Sequence, residues 1–274
     1  MTLGQGVSEV VRRRAGTLAY LARVGRLSPD WPAIARGKLT HTTPERPIRL
    51  RDGTVLHHGD LDDPLLMLHE VWVEELYRPA VPPPPGATMI DAGANIGAVA
   101  LYWLAREPTL RVHAYEPNPC ALTALHRNAR ANAAAAGGGE LTVHEEALGA
   151  GRGELDLWID GPSYEATGYR DEPPAGASRR IPVPVVGLDE AWERLGRGPV
   201  WLLKIDTEGA EADILAGASS DTLAAVRCAI VEYHDDIYPG SADRCRALLR
   251  SARLTVDRET AFDWGQGILY ASRH

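Results

Sequence analysis

The stretch Met89-Ile90-Asp91-Ala92-Gly93-Ala94-Asn95-Ile96-Gly97 constrains the fold of this chain more than any other. A short apolar run ends in an acid, crosses glycine-spaced positions and enters a helical pattern. That order predicts a buried strand, a tight turn and a helix start, which together form a backbone cradle at the carboxyl end of a strand. The next apolar run, Leu110 to Tyr115, ends in Glu116, 19 positions beyond Gly97 (116 − 97). An acid at such a strand end can accept both hydroxyls of a ribose. The two features predict a site for a nucleoside-bearing cofactor.

From residue 87 onward strands and helices alternate. Strands are expected at 87–91, 110–115, 141–145, 154–159, 181–186, 200–205 and 226–232, with a closing pair at 254–259 and 267–272. Helices are expected at 96–106, 119–135, 188–195, 210–217 and 242–251. Leu148-Gly149-Ala150-Gly151-Arg152-Gly153 reads as a turn, and 160–180, with Tyr164 and Tyr169, as a long loop able to act as a lid. This pattern predicts an α/β doubly wound parallel sheet with an antiparallel C-terminal edge hairpin.

Residues 1–85 read as an extension and 86–274 as the cofactor domain. The extension has a helical stretch to about residue 38, suited to packing or to a homodimer contact. An Asp52-Gly53 hairpin and a helix from Pro64 to Tyr77 follow, then a stiff linker, Pro82-Pro83-Pro84-Pro85.

A net charge of -8 gives a nucleic-acid partner no bulk support. No apolar run approaches the ~18 residues of a membrane span, and no signal peptide is evident. The three cysteines, Cys120, Cys228 and Cys245, are too scattered for a disulfide framework and suit a cytoplasmic protein.

Charge separates the cofactor candidates. An acid at the strand end opposes the pyrophosphate of NAD but suits the cationic amino group and sulfonium of S-adenosylmethionine. The spacing Gly93-x-Asn95-x-Gly97 also departs from the dinucleotide fingerprint. Asp91, Gly93, Asn95, Gly97, Glu116 and Asn118 are therefore the expected cofactor residues. Glu146, with Glu145 as its rival, is placed to meet an adenine amino group. An NAD-dependent oxidoreductase is the reading left behind.

A second constellation closes two later strands: Lys204, Asp206 and Glu208 on one side, Glu232 and His234 on the other. Residues i and i+2 of a strand share a face, so Lys204 should meet Asp206, and Glu232 should meet His234. Ionisable groups at buried strand ends are costly unless paired or functional. Lys204 is one of only two lysines, the other being Lys38.

The motifs DAGANIG (91–97), EPNP (116–119), KIDTEGAE (204–211) and VEYH (231–234) resemble those of the FkbM-type S-adenosylmethionine-dependent methyltransferases, in order and in spacing. The segment from Arg51 through Glu70 and Tyr77 resembles the stretch that often precedes that family's first motif, whereas residues 1–40 are unmatched. The resemblance implies a class I methyltransferase (Rossmann-like) fold and O-methylation of a small-molecule hydroxyl, on a sugar or a polyketide-type natural product, with N-methylation as the rival. It also implies that Asp206 and Glu208 border the transferring methyl.

His234 is the expected general base, because imidazole titrates near neutrality, with Asp206 able to share the task and Lys204 and Glu232 beside them. Asp206, Glu232 and His234 would also serve as ligands if Mg²⁺ or Mn²⁺ took part.

Overall fold

The structure is a computed structural model that describes residues 19–60, 62–133, 137–159, 167–168, 179–262 and 265–273. Residues 1–18, Tyr164, Tyr169 and most of the expected lid lie outside the described residues.

The central sheet has seven strands. They are β3 (Thr88–Ala92), β4 (Arg111–Tyr115), β5 (Glu140–His144), β9 (Val200–Ile205), β10 (Val226–His234), β11 (Thr255–Ala261) and β12 (Gln266–Ser272). Their spatial order is β11-β12-β10-β9-β3-β4-β5. Six run in one direction, and β12 lies antiparallel between β10 and β11. β3 and β9 are buried at every position, as strands covered on both faces must be, and β9 is apolar at every position but Lys204.

The chain builds outward from β3 through β4 to β5, then returns to β9 on the other flank of β3. That reversal makes the carboxyl ends of β3 and β9 a topological switch point, the place where ligands bind in such sheets. Helix α4 (Ala98–Arg106) rises from the turn after β3, α5 (Pro119–Asn132) from the turn after β4, and α7 (Glu211–Gly217) from the turn after β9. A short helix at Ser220–Ala225 had no expected counterpart. α9 (Ser241–Ser251) follows β10.

The stretch between β5 and β9 departs from simple alternation. β6 (Ala147–Gly149), read from the sequence as part of a turn, pairs with β8 (Arg179–Gly187), which also pairs with β7 (Gly153–Ile159). These strands form a separate three-stranded sheet. Glycine content suggested a turn, but three residues suffice once a partner strand supplies the hydrogen bonds.

In the extension, the expected single helix is divided into 19–27 and Trp31–Thr40. Ser28 lies at the break, accepting from the Asp30 amide at 3.0 Å and donating to the Arg49 carbonyl at 2.6 Å. The hairpin forms as expected, pairing Ile48–Arg49 with Val55–Leu56. Helix α3 (Pro64–Leu68), capped by Asp63, passes into a π-helical turn at His69–Val73 instead of continuing to Tyr77. Such turns displace side chains from α-helical register.

Extension residues Ile34, Leu56, Leu68 and Trp72 share one apolar cluster with Met89, Leu101 and Tyr102 of the cofactor domain. Trp72 packs edge-on against Tyr102, with ring centroids 5.9 Å apart, so it fills the core. Among the described residues no helix is long and apolar enough to cross a membrane.

Candidate active site

The turn after β3 has three consecutive features that a bulkier sequence would forbid. Gly93, Asn95 and Gly97 have φ of 71°, 50° and 85°. A Cβ on Gly93 would lie 1.7 Å from the Asp206 carbonyl oxygen, so β3 and β9 close on each other only because that side chain is absent. The Gly93 and Ala94 amides donate to the Tyr115 carbonyl at 3.0 and 3.1 Å, tying the turn to the end of β4.

Glu116 faces the same turn. Its Oε2 accepts from the Asn95 amide and its Oε1 from the Asn118 amide, both at 2.7 Å. Burial pushes its carboxyl up to about 7, although those amides and Lys204 work the other way. The acid is held rigidly against the glycine turn and waits for donors that would favour its charged form.

The second constellation gathers as the strand register predicts. Asp91 and Lys204 are cross-strand partners, and β10 is the parallel neighbour of β9. The Lys204 ammonium, 2% exposed, lies 3.3 Å from both Asp91 Oδ1 and Asp206 Oδ2. It donates to the Gly93 carbonyl at 2.6 Å and to the Ala92 carbonyl at 3.4 Å. Burial opposes its charge, but Asp91 and Asp206 outweigh burial and hold the ammonium above its usual range.

Tyr77, from the extension, donates to Glu232 Oε2 at 2.7 Å and approaches Asp206 Oδ2 at 3.3 Å. Burial, then the Asp206 carboxylate, push Glu232 well above the usual carboxylate range. Glu70, on the π-helical turn, is raised to about 7, first by burial and then by Asp206. Three carboxyl groups from three elements thus share one field, with Lys204 as the fixed cation.

His234 differs from expectation. Only 1% exposed, its Nδ1 lies 3.0 Å from Glu211 Oε1 and its Nε2 3.5 Å from Glu208 Oε1. Burial disfavours its charge, yet the two glutamates outweigh it and raise the imidazole well above its ordinary value. Both ring nitrogens thus face a glutamate, which favours the charged form of the imidazole.

Other expected residues also take structural partners. Asp91, fully buried, faces Lys204 at 3.3 Å. Asn118 caps α5 by accepting from the Cys120 amide at 3.0 Å. Glu146 is paired with Arg194, and its rival Glu145 meets His126 at 2.7 Å.

Two residues of the cluster, Glu70 and Glu211, had no role assigned from sequence. Tyr77 and Glu70 sit in the extension, far away in the chain. Glu211 ends the KIDTEGAE motif, and its Oε1 accepts from the Thr207 and Gly209 amides at 3.1 and 2.9 Å as well as from His234. A glutamate two positions after Gly209 was the signal available for that turn. Asp206, Glu232 and His234 bring one potential ligand atom each within 4.8 Å of one another, so the expected metal set does converge.

Residues 91–254 match the Methyltransferase FkbM domain family. The chain belongs to the FkbM methyltransferase family. It is 29% identical over 243 residues to the 31-O-demethyl-FK506 methyltransferase FkbM of Streptomyces tacrolimicus, covering 77% of this chain and 90% of that protein. It is 27% identical over 208 residues to methyltransferase sdnD of Sordaria araneosa, covering 66% and 78%. Among solved structures, an FkbM methyltransferase from Methylobacillus flagellatus KT superposes with a TM-score of 0.50 at 18% identity. That match covers 96% of this chain and 60% of the other, and shows the shared fold. The FkbM-type chain is thus a methyltransferase with the class I Rossmann-like sheet expected from its sequence.

Proposed function

We propose that this FkbM-type chain is an S-adenosylmethionine-dependent O-methyltransferase acting on a small-molecule hydroxyl, of a sugar or a polyketide-type natural product. The observation that carries the reading is the single Tyr77 hydroxyl spanning Asp206 and Glu232 at the carboxyl ends of β9 and β10, beside the glycine turn. The relative from Streptomyces tacrolimicus, named for methylating an oxygen, supports the same class of acceptor.

The residues fit S-adenosylmethionine. The glycine turn is a cradle that a Cβ would fill, and Glu116 is a buried carboxyl suited to ribose hydroxyl donors. When bound, the cofactor supplies an electrophilic methyl on a sulfonium. Gly93, Asn95 and Gly97 would give close backbone approach, and Glu116 would accept from the ribose. Asp206, with its side chain 24% exposed, accepts the acceptor hydroxyl's proton, while Glu232 and Tyr77 fix its orientation. Such a base contributes roughly 10²–10⁴-fold, and alignment of the reacting groups supplies much of the rest.

The chemistry runs without a metal in this reading. Lys204 already lies 3.3 Å from Asp206, and both nitrogens of His234 face glutamates. The scattered free cysteines fit a cytoplasmic enzyme.

The test is transfer of a labelled methyl from S-adenosylmethionine to a panel of sugars, glycosylated and polyketide-type alcohols, with amine analogues alongside. Transfer to hydroxyls that falls roughly 10²–10⁴-fold in Asp206→Asn is expected. Transfer to amines alone would establish the N-methyl reading, and turnover unaffected in Asp206→Asn would remove that residue as base.

A further inference from the structure

Lys204 is buried, charged and aimed at the wrong place for a proton carrier. Its ammonium reaches four oxygens: the carbonyls of Ala92 and Gly93, Asp91 Oδ1 and Asp206 Oδ2. The first three belong to β3 and its turn. The fourth belongs to the strand end facing the acceptor side.

The shortest of these contacts, 2.6 Å, is to the carbonyl of Gly93. Gly93 is the residue whose missing side chain lets the Asp206 backbone come within reach. The Asp206 amide in turn donates to the Ala92 carbonyl at 3.1 Å. A compact ammonium can hold several acceptors at once from a single point, which a planar guanidinium cannot do in the same space. In a chain that otherwise uses arginine for nearly every cation, lysine stands here.

We infer that Lys204 is a positioning residue that clamps the cofactor turn, through the Gly93 carbonyl, to Asp206, so that cofactor site and acceptor acid are held in one fixed relation. The link from the turn to the cofactor rests on the reading proposed above; the clamp itself does not. Lys204 touches neither acceptor nor methyl in this account, so it acts through Gly93 and Asp206. A purely structural ion pair would need only Asp91.

The experiment removes the ammonium together with the charge of its fully buried partner, Asp91. Asp91→Asn is compared with Asp91→Asn/Lys204→Met, so that a single Lys204→Met that fails to fold does not block the answer. Two readouts are taken. In ligand-free protein, hydrogen exchange of the Gly93 and Ala94 amides should be at least about tenfold faster in the double variant, while amides of β10 stay unchanged. By calorimetry with S-adenosylhomocysteine as probe, the double variant should bind at least about tenfold more weakly than Asp91→Asn at matched thermal stability.

Unchanged exchange at Gly93 and Ala94 would overturn the clamp. Faster exchange with equal affinity would overturn its coupling to the cofactor. If wild-type protein or Asp91→Asn binds no S-adenosylhomocysteine, the exchange comparison alone decides the clamp. Absence of binding in wild type counts against the proposed function instead.

Discussion

At the scale of residues, the site is a set of charges placed by backbone geometry. Glu116 makes the first prediction. With its carboxyl pushed up to about 7, the free protein carries part of a proton there at neutral pH. Ribose hydroxyls that donate to the carboxylate favour the charged form, so binding should release protons, and affinity should rise with pH up to about 7. Titrations with S-adenosylhomocysteine in buffers of different ionisation enthalpy read this directly. Proton uptake, or release that persists in Glu116→Gln, would contradict it.

His234 gives the opposite sign. Its value is raised by Glu208 and Glu211 against burial, so its contribution to stability is fully present below about pH 6.5 and is lost as pH climbs through the folded value. Wild type should lose stability on the alkaline side, and His234→Gln should show a flatter profile there by denaturant titration. Gly93→Ala should cost about 1–2 kcal/mol from its left-handed backbone alone, with the collision against Asp206 added, and melting curves measure it.

Residue identities were legible where spacing carries the chemistry. Lys204 meets Asp206 because i and i+2 share a strand face. What spacing cannot tell is whether a neighbour has already claimed a side chain. Glu146 paired with Arg194 and His234 held by Glu211 each follow from contacts that close only in three dimensions.

At the scale of elements, the sheet was readable because buried parallel strands are short apolar runs followed by turns and helices. The same rule missed β6, since three residues in a glycine-rich stretch have no periodicity to detect. It also missed the end of α3, where the helix widens into a π turn that brings Glu70 towards Asp206. The extension supplies Tyr77 to a site built otherwise on β9 and β10. Tyr77→Phe keeps the ring but removes the donor. It should lower methyl transfer while leaving S-adenosylhomocysteine affinity near that of wild type, because the hydroxyl touches the acids and not the glycine turn. Equal losses in both would place Tyr77 in general packing.

At the scale of the whole molecule, the extension and the sheet share one core. Ile34, Leu56, Leu68 and Trp72 pack in the same cluster as Met89 and Leu101. A chain cut to residues 86–274 would expose that face, so it should lose cooperative unfolding or aggregate. A sharp transition from the shortened chain would show two independent folding units instead. Sequence divided the chain at the proline linker, but a linker marks a covalent boundary, not the limit of a core.

The charge balance is also a property of the whole site. With Lys204 and His234 supplying its cations from within, methyl transfer should survive prolonged treatment with EDTA, and loss restored by Mg²⁺ or Mn²⁺ would instead make Asp206, Glu232 and His234 a metal centre.

The central claim is that the turn after β3, with Glu116, holds S-adenosylmethionine. Calorimetric titration of the full chain with S-adenosylhomocysteine, beside NAD, tests it most directly. Saturable binding of S-adenosylhomocysteine alone, lost in Gly93→Ala and weakened in Glu116→Ala, is the predicted result. Binding of NAD alone, or of neither, would contradict it.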